Sequence, residues 1–164
     1  MIRIFLYLNA LVLAGGLAYG SIDLGKPAPG FAGTELNGKK FDLAEQRGNV
    51  VLLGFFATWC DGCSAELPIL ENIYTRHRAE GLEALIVSVD RPRERNHVIE
   101  FLKPYDLPSA LISDAKVNGF GTPGTLPILY VIDRSGIVRA ELAAPGPADL
   151  RAKIESLVLP LLKR

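Results

Sequence analysis

A chain that contains Val50-Val51-Leu52-Leu53-Gly54-Phe55-Phe56-Ala57 has few architectures open to it. The segment from Asn49 to Ala57 is too short for an ordinary helix and carries no polar side chain after Asn49. A strand exposed on one face alternates apolar and polar, whereas one buried on both faces is continuously apolar. The segment therefore predicts a central strand. Thr58-Trp59-Cys60-Asp61-Gly62-Cys63 follows at once. From Cys60 to about Glu80 the apolar positions Leu67, Leu70, Ile73 and Tyr74 recur at helical spacing. A doubly buried strand thus hands over to a helix with two cysteines at the junction. That requires a covered sheet, an α/β arrangement.

The rest of the chain completes such a sheet. Gly25 to Gly33 is rich in Gly, Pro and Ala and reads as an irregular opening. Thr34 to Leu43 centres on Asn37-Gly38, a hairpin signal. Leu82 to Val89 predicts a second buried strand, and Arg93 to Lys103 a helix that stops before Pro104. Ser109 to Ile112 predicts a short strand. Ile128 to Ile132 and Ile137 to Leu142 flank Arg134-Ser135-Gly136 as an antiparallel hairpin, and a last helix is expected from about Pro147 to Leu162. The order gives one mixed sheet covered by helices, preceded by an N-terminal hairpin.

At 164 residues the chain suits one domain. Eighteen basic side chains balance eighteen acidic ones, so no net field points to nucleic acid as a partner. Residues 1–20 differ from the remainder. Arg3 precedes a stretch, Ile4 to Ala14, that is apolar apart from Asn9, and Gly15, Gly16, Ala18, Gly20 and Ser21 follow. This is the order of a secretory signal peptide, with cleavage expected after Gly20. The alternative is an uncleaved anchor over residues 4–19, slightly short of the roughly 20 residues a membrane span prefers. Either places residues 21–164 outside the cytoplasm, in the periplasm or an equivalent compartment.

Cys60 and Cys63 are the two cysteines of the chain. At a helix start the first backbone amides lack intrahelical partners and the dipole favours an anion. A thiol placed there ionises more readily, and the thiolate is the nucleophile. The spacing sets Cys63 one turn along the same face, where it can attack a mixed disulfide on Cys60. A structural disulfide would close almost no loop here and stabilise little. A zinc site needs about four ligands, and His77 and His97 lack paired spacing. Both histidines are expected as exposed helix residues. No metal and no cofactor is expected.

The stretch from Val50 through Cys60-Asp61-Gly62-Cys63 to Ser64-Ala65-Glu66-Leu67-Pro68 resembles the active-site region of TlpA/ResA-type thioredoxin-like proteins. Gly25-Lys26-Pro27-Ala28-Pro29-Gly30-Phe31 resembles that family's opening segment, and Leu126-Pro127-Ile128-Leu129-Tyr130-Val131-Ile132-Asp133 its proline loop and following strand. The resemblance implies a thioredoxin-like fold and an extracytoplasmic thiol–disulfide oxidoreductase. Its substrates would be exported thiol or disulfide proteins, apocytochrome c among them. By the same resemblance Glu66 manages the proton of Cys63, although its helical position fits a solvated glutamate equally well, and Pro127 is a cis-proline facing the cysteines. With Leu126 it would line the substrate groove, and Trp59 is expected there as part of the docking surface or, alternatively, as a loop anchor. Pro68 is expected to kink the helix by removing one hydrogen bond.

Three departures stand out. Asp61-Gly62 replaces the family's Pro-containing dipeptide, the loop at Thr122-Pro123-Gly124 is one residue longer, and Ile128 replaces a small hydroxyl residue. Among rivals, a peroxiredoxin-like peroxidase would carry proline and threonine where Leu53 and Ala57 stand. A copper-delivery protein would space its cysteines one residue further apart and add a later histidine. Binding of apocytochrome or haem without turnover remains a third possibility. A monomer is expected, served by a membrane thiol–disulfide donor, because an isolated pair in an oxidising compartment stays oxidised.

Overall fold

The structure, a computed structural model, describes residues 22–163. The signal peptide or anchor expected over residues 1–20 lies outside them. Seven strands form one sheet: β1 (Phe31–Glu35), β2 (Lys40–Asp42), β3 (Val50–Phe56), β4 (Leu82–Ser88), β5 (Ser109–Asn118), β6 (Ile128–Ile132) and β7 (Val138–Ala143). Three helices accompany them, α1 (Asp61–His77), α2 (Arg95–Leu102) and α3 (Pro147–Leu162). The strand order is β2-β1-β5-β4-β3-β6-β7. β3 runs parallel to β4 from Val50 opposite Leu82 to Phe56 opposite Ser88, and antiparallel to β6 with Phe55 opposite Ile128. The sheet is mixed, as expected of a thioredoxin-like fold.

Every residue of β3 is buried. Alternation along the strand sends Val50, Leu52 and Phe56 into one core, shared with the buried residues of α1, α2 and α3. Val51, Leu53 and Phe55 enter a second core, where Phe31, Phe41 and Leu43 close the opposite face. Phe55 meets Phe31 and Tyr130 edge-on, at ring separations of 6.3 Å each. Each such side chain contributes about 1.5–3 kcal/mol relative to exposure. Gly54 faces the helical core, where a Cβ would stand 3.1 Å from Ile86 Cδ1 and 3.2 Å from Leu129 Cδ1. A larger side chain there would press on β4 and β6 just below the cysteines.

Two expectations at the sheet's edge need correction. β5 does not end at Ile112 but continues to Asn118. Ser113, Asp114 and Lys116 carry no strand pattern of their own, yet β1 lies antiparallel beside this stretch, pairing Ala32 with Val117 and Gly33 with Ala115. The pairing slips twice, which accommodates the irregular sequence. The opening segment is also ordered into β1 from Phe31 rather than irregular to Gly33. Both come from a neighbouring strand that supplies hydrogen bonds to a segment with little strand pattern of its own. α1 runs through Pro68 without a break and ends at His77, with a separate turn over Arg78–Glu80.

Candidate active site

β3 ends at Phe56, and the backbone turns through Ala57, Thr58 and Trp59 before α1 begins. Cys60 is the N-cap of α1, in extended conformation, and its sulfur accepts from the Cys63 backbone amide at 3.2 Å. Cys60 and Cys63 are joined by a disulfide with Cα atoms 5.2 Å apart. Their surroundings differ sharply. Cys63 is 1% exposed within the helical core, while Cys60 is partly open. Reduction would therefore leave one accessible sulfur at a helix N-terminus and one shielded sulfur a turn inside.

Leu126–Pro127 is a cis peptide bond immediately before β6. Pro127 is buried against the cysteine turn, and a Cβ on Gly62 would lie 3.6 Å from Pro127 Cδ. Leu126 lines an open groove of about 490 Å³ with Trp59, Cys60, Val89, Thr122, Pro123 and Gly124. Trp59 projects from this groove's rim, 68% exposed. The loop extension at Thr122-Pro123-Gly124 thus forms part of the groove wall. Val89 was not singled out from the sequence, and the loop stood out only for its length, because only the return of β4 and of the β5–β6 connection to one end of the sheet brings them beside Cys60. Ile128 points into the second core with Phe55 and takes no part in the groove.

Glu66 is not a solvated helix residue. It is 3% exposed and lines a cavity of about 10 Å³ with Cys63, Phe56, Pro127 and Leu129. That volume is about one water. Burial raises its carboxyl above the usual range, and hydrogen bonding from the Gly146 backbone partly offsets the effect. A carboxyl so placed can hold or release a proton beside Cys63. Asp61, by contrast, is exposed at the first helical position.

The histidines stay away from this chemistry. His97 is exposed on α2, and His77, at the far end of α1, bonds Glu80 at 3.0 Å. A larger depression, about 660 Å³, lies at the opposite end of the sheet among Glu35, Tyr74, Arg78, Glu83 and Asp106. It contains no cysteine. There, burial and the nearby Glu35 charge raise the carboxyl of Glu83.

A mixed sheet that delivers two cysteines to a helix N-terminus, facing a cis-proline, defines a thioredoxin-fold thiol–disulfide oxidoreductase. Comparison with known proteins agrees: residues 24–141 match the model of the AhpC/TSA family, and the chain belongs to that family. It is 36% identical over 119 residues to the thiol-disulfide oxidoreductase ResA of Bacillus cereus, covering 71% of this chain and 68% of that protein. A candidate thiol:disulfide interchange protein DsbE from Chlorobium tepidum superposes with a TM-score of 0.75 at 27% identity, covering 87% and 99% of the two chains. The thioredoxin domain of a thiol-disulfide oxidoreductase from Bacteroides vulgatus gives 0.68 at 26% identity, covering 84% and 99%. The positions where a peroxidase of this wider family would carry proline and threonine, Leu53 and Ala57, are fully buried apolar residues here.

Proposed function

We propose that this protein reduces disulfides of exported proteins outside the cytoplasm, with Cys60 attacking and Cys63 resolving. The observation that carries the reading is the asymmetry of the pair: Cys60 opens onto the groove while Cys63 is buried beside Glu66. In the reduced protein the Cys60 thiolate attacks one sulfur of a client disulfide, and the other client sulfur leaves as a thiolate. Cys63 then gives its proton to Glu66 and attacks Cys60, releasing the second client thiolate. Two electrons have passed to the client, and the protein holds the Cys60–Cys63 disulfide. A donor dithiol must reduce it again, which supports an upstream membrane partner. Trp59, Leu126 and Pro127 would hold the client backbone, and apocytochrome c is among the clients implied by resemblance. The extracytoplasmic placement is supported by the leader-like order of residues 1–20.

Trp59, the sole tryptophan, supplies the test. Its emission, titrated across dithiothreitol or glutathione buffers and checked by thiol alkylation, should follow a two-electron couple. Two independent one-thiol steps would end the proposal. A potential near that of a strong oxidant would reverse its direction.

Asp61 supports the reducing direction. A carboxylate about 6 Å from a thiolate opposes it by roughly 1–3 kcal/mol at an effective dielectric of 20–40, before solvent and salt at an exposed position reduce it. The helix terminus favours the thiolate, and Asp61 works against it. A less stabilised thiolate makes the reduced pair the better electron donor. Asp61→Asn should therefore raise the reduction potential, by about 30 mV for each 1.4 kcal/mol relieved. It should also speed Cys60 alkylation at neutral pH. An unchanged or lower potential would remove Asp61 as a cause of the reducing direction.

A further inference from the structure

We infer that Asp90 is a positioning residue for the dithiol, its buried carboxylate clamping the loop that presents Trp59 and Cys60. This rests on the dithiol reading above but concerns residues outside the cysteine motif. Asp90 lies just beyond β4 and is 3% exposed. Among the described residues no ion pair involves it. Instead its two oxygens are filled by hydrogen-bond donors. The Thr58 backbone amide donates to Oδ2 at 2.9 Å, and the Thr58 hydroxyl donates to Oδ1 at 2.7 Å. The Ser88 hydroxyl also donates to Oδ2, at 2.7 Å, and accepts from the Asp90 amide at 3.1 Å. Ser88 is fully buried at the last position of β4.

The consequence is mechanical. Thr58 lies two residues before Cys60, and it is held twice by one carboxylate. Val89 donates to the Phe56 carbonyl at 2.9 Å, so the start of the loop is also tied to the end of β4. Trp59 itself is largely exposed and has little packing to fix it. When the disulfide opens, the covalent tie between the helix's first turn and its cap is lost. The Asp90–Thr58 bonds do not depend on that tie. They remain to keep Cys60 at the helix N-terminus and Trp59 on the groove's rim. A buried carboxylate is costly to desolvate and is tolerated when hydrogen bonds replace its water. Its presence beside the nucleophile loop, satisfied wholly by Thr58 and Ser88, marks it as more than a surface cap.

The test compares Asp90→Ala, Asp90→Asn and Thr58→Val with wild type. Reduced protein is mixed with excess insulin, and Trp59 emission gives the second-order rate constant for disulfide attack. Trp59 anisotropy and thermal melts are recorded alongside. The alanine variant should react at least tenfold more slowly and show lower Trp59 anisotropy. Asn keeps one acceptor and adds a donor that the hydroxyls of Thr58 and Ser88 can accept, so it should recover most of the rate. Thr58→Val, which removes one of the bonds without changing shape, should fall between. Wild-type rate and anisotropy in Asp90→Ala, whatever its melting temperature, would overturn the inference. So would an Asn variant as slow as the alanine one, since the charge rather than the clamp would then matter. If Asp90→Ala does not fold, Thr58→Val decides: a slower rate with an unchanged melt supports the clamp, and a wild-type rate defeats it. Failure of wild type itself to react would defeat the reductase reading instead, and this inference with it.

Discussion

Reduced Cys63→Ser protein, mixed with a disulfide-bonded client, should accumulate a mixed disulfide on non-reducing gels, while Cys60→Ser should trap almost none. Both variants should lose turnover completely, because a dithiol cycle needs two sulfurs. The difference between them comes from placement. Cys60 caps α1 and opens onto the groove beside Trp59, where a client sulfur can approach in line. Cys63 is 1% exposed and packed in the helical core, so a client cannot reach it before Cys60 has reacted. Once the client is held on Cys60, Cys63 needs no diffusion to attack, and the intermediate is short-lived in wild type. Removing Cys63 blocks that escape. Equal trapping by the two variants would overturn the assignment of roles.

Glu66→Gln should separate stability from activity in opposite directions. Burial raises the Glu66 carboxyl, so the folded protein binds this proton more tightly than the unfolded chain does. The sign follows: the contribution to stability is fully present below the ordinary carboxyl range and is lost as pH rises through the raised value. Above that raised value the folded protein carries a buried charge at a cost. Gln removes the charge and keeps an oxygen for the Gly146 backbone. Above that raised value its melting temperature should exceed wild type by about 2–4 °C for each kcal/mol relieved, and the advantage should vanish in acid. Turnover should fall by about 10²-fold or more, the scale of a lost proton acceptor. The loss should fall on release of the mixed disulfide, and attack by Cys60 should stay near wild type. A variant with no stability advantage at any pH above the ordinary carboxyl range, or one with full turnover, would remove Glu66 from the mechanism.

The parts legible beforehand share a cause. β3 could be read because burial on both faces demands apolar residues throughout. α3 runs over the expected Pro147–Leu162, where Leu150, Ile154 and Val158 recur on its inward face. The cysteine pair declared itself by sitting where these two kinds of pattern meet. β5 beyond Ile112 did not, because Asp114 and Lys116 contribute nothing to a strand pattern and the pairing partner, β1, lies about 80 residues earlier.

For Glu66 the sequence offered two equal environments, solvent or the cysteine face, and packing chose between them. α3 begins at Pro147 and lies against α1, which brings the Gly146 backbone to the carboxyl and buries it. Nothing local in the sequence marks Asp90, since its hydrogen-bond partner Thr58 lies 32 residues away. By itself the sequence determined the elements, the handover from strand to helix, and hence the reactive pair at a helix N-terminus, because those follow from local periodicity and spacing. The tertiary structure alone decided which sulfur faces the groove, which carboxyls are buried, and which loops meet at Cys60. Exposure and long-range hydrogen bonds depend on what packs from elsewhere in the chain, and no local pattern records that.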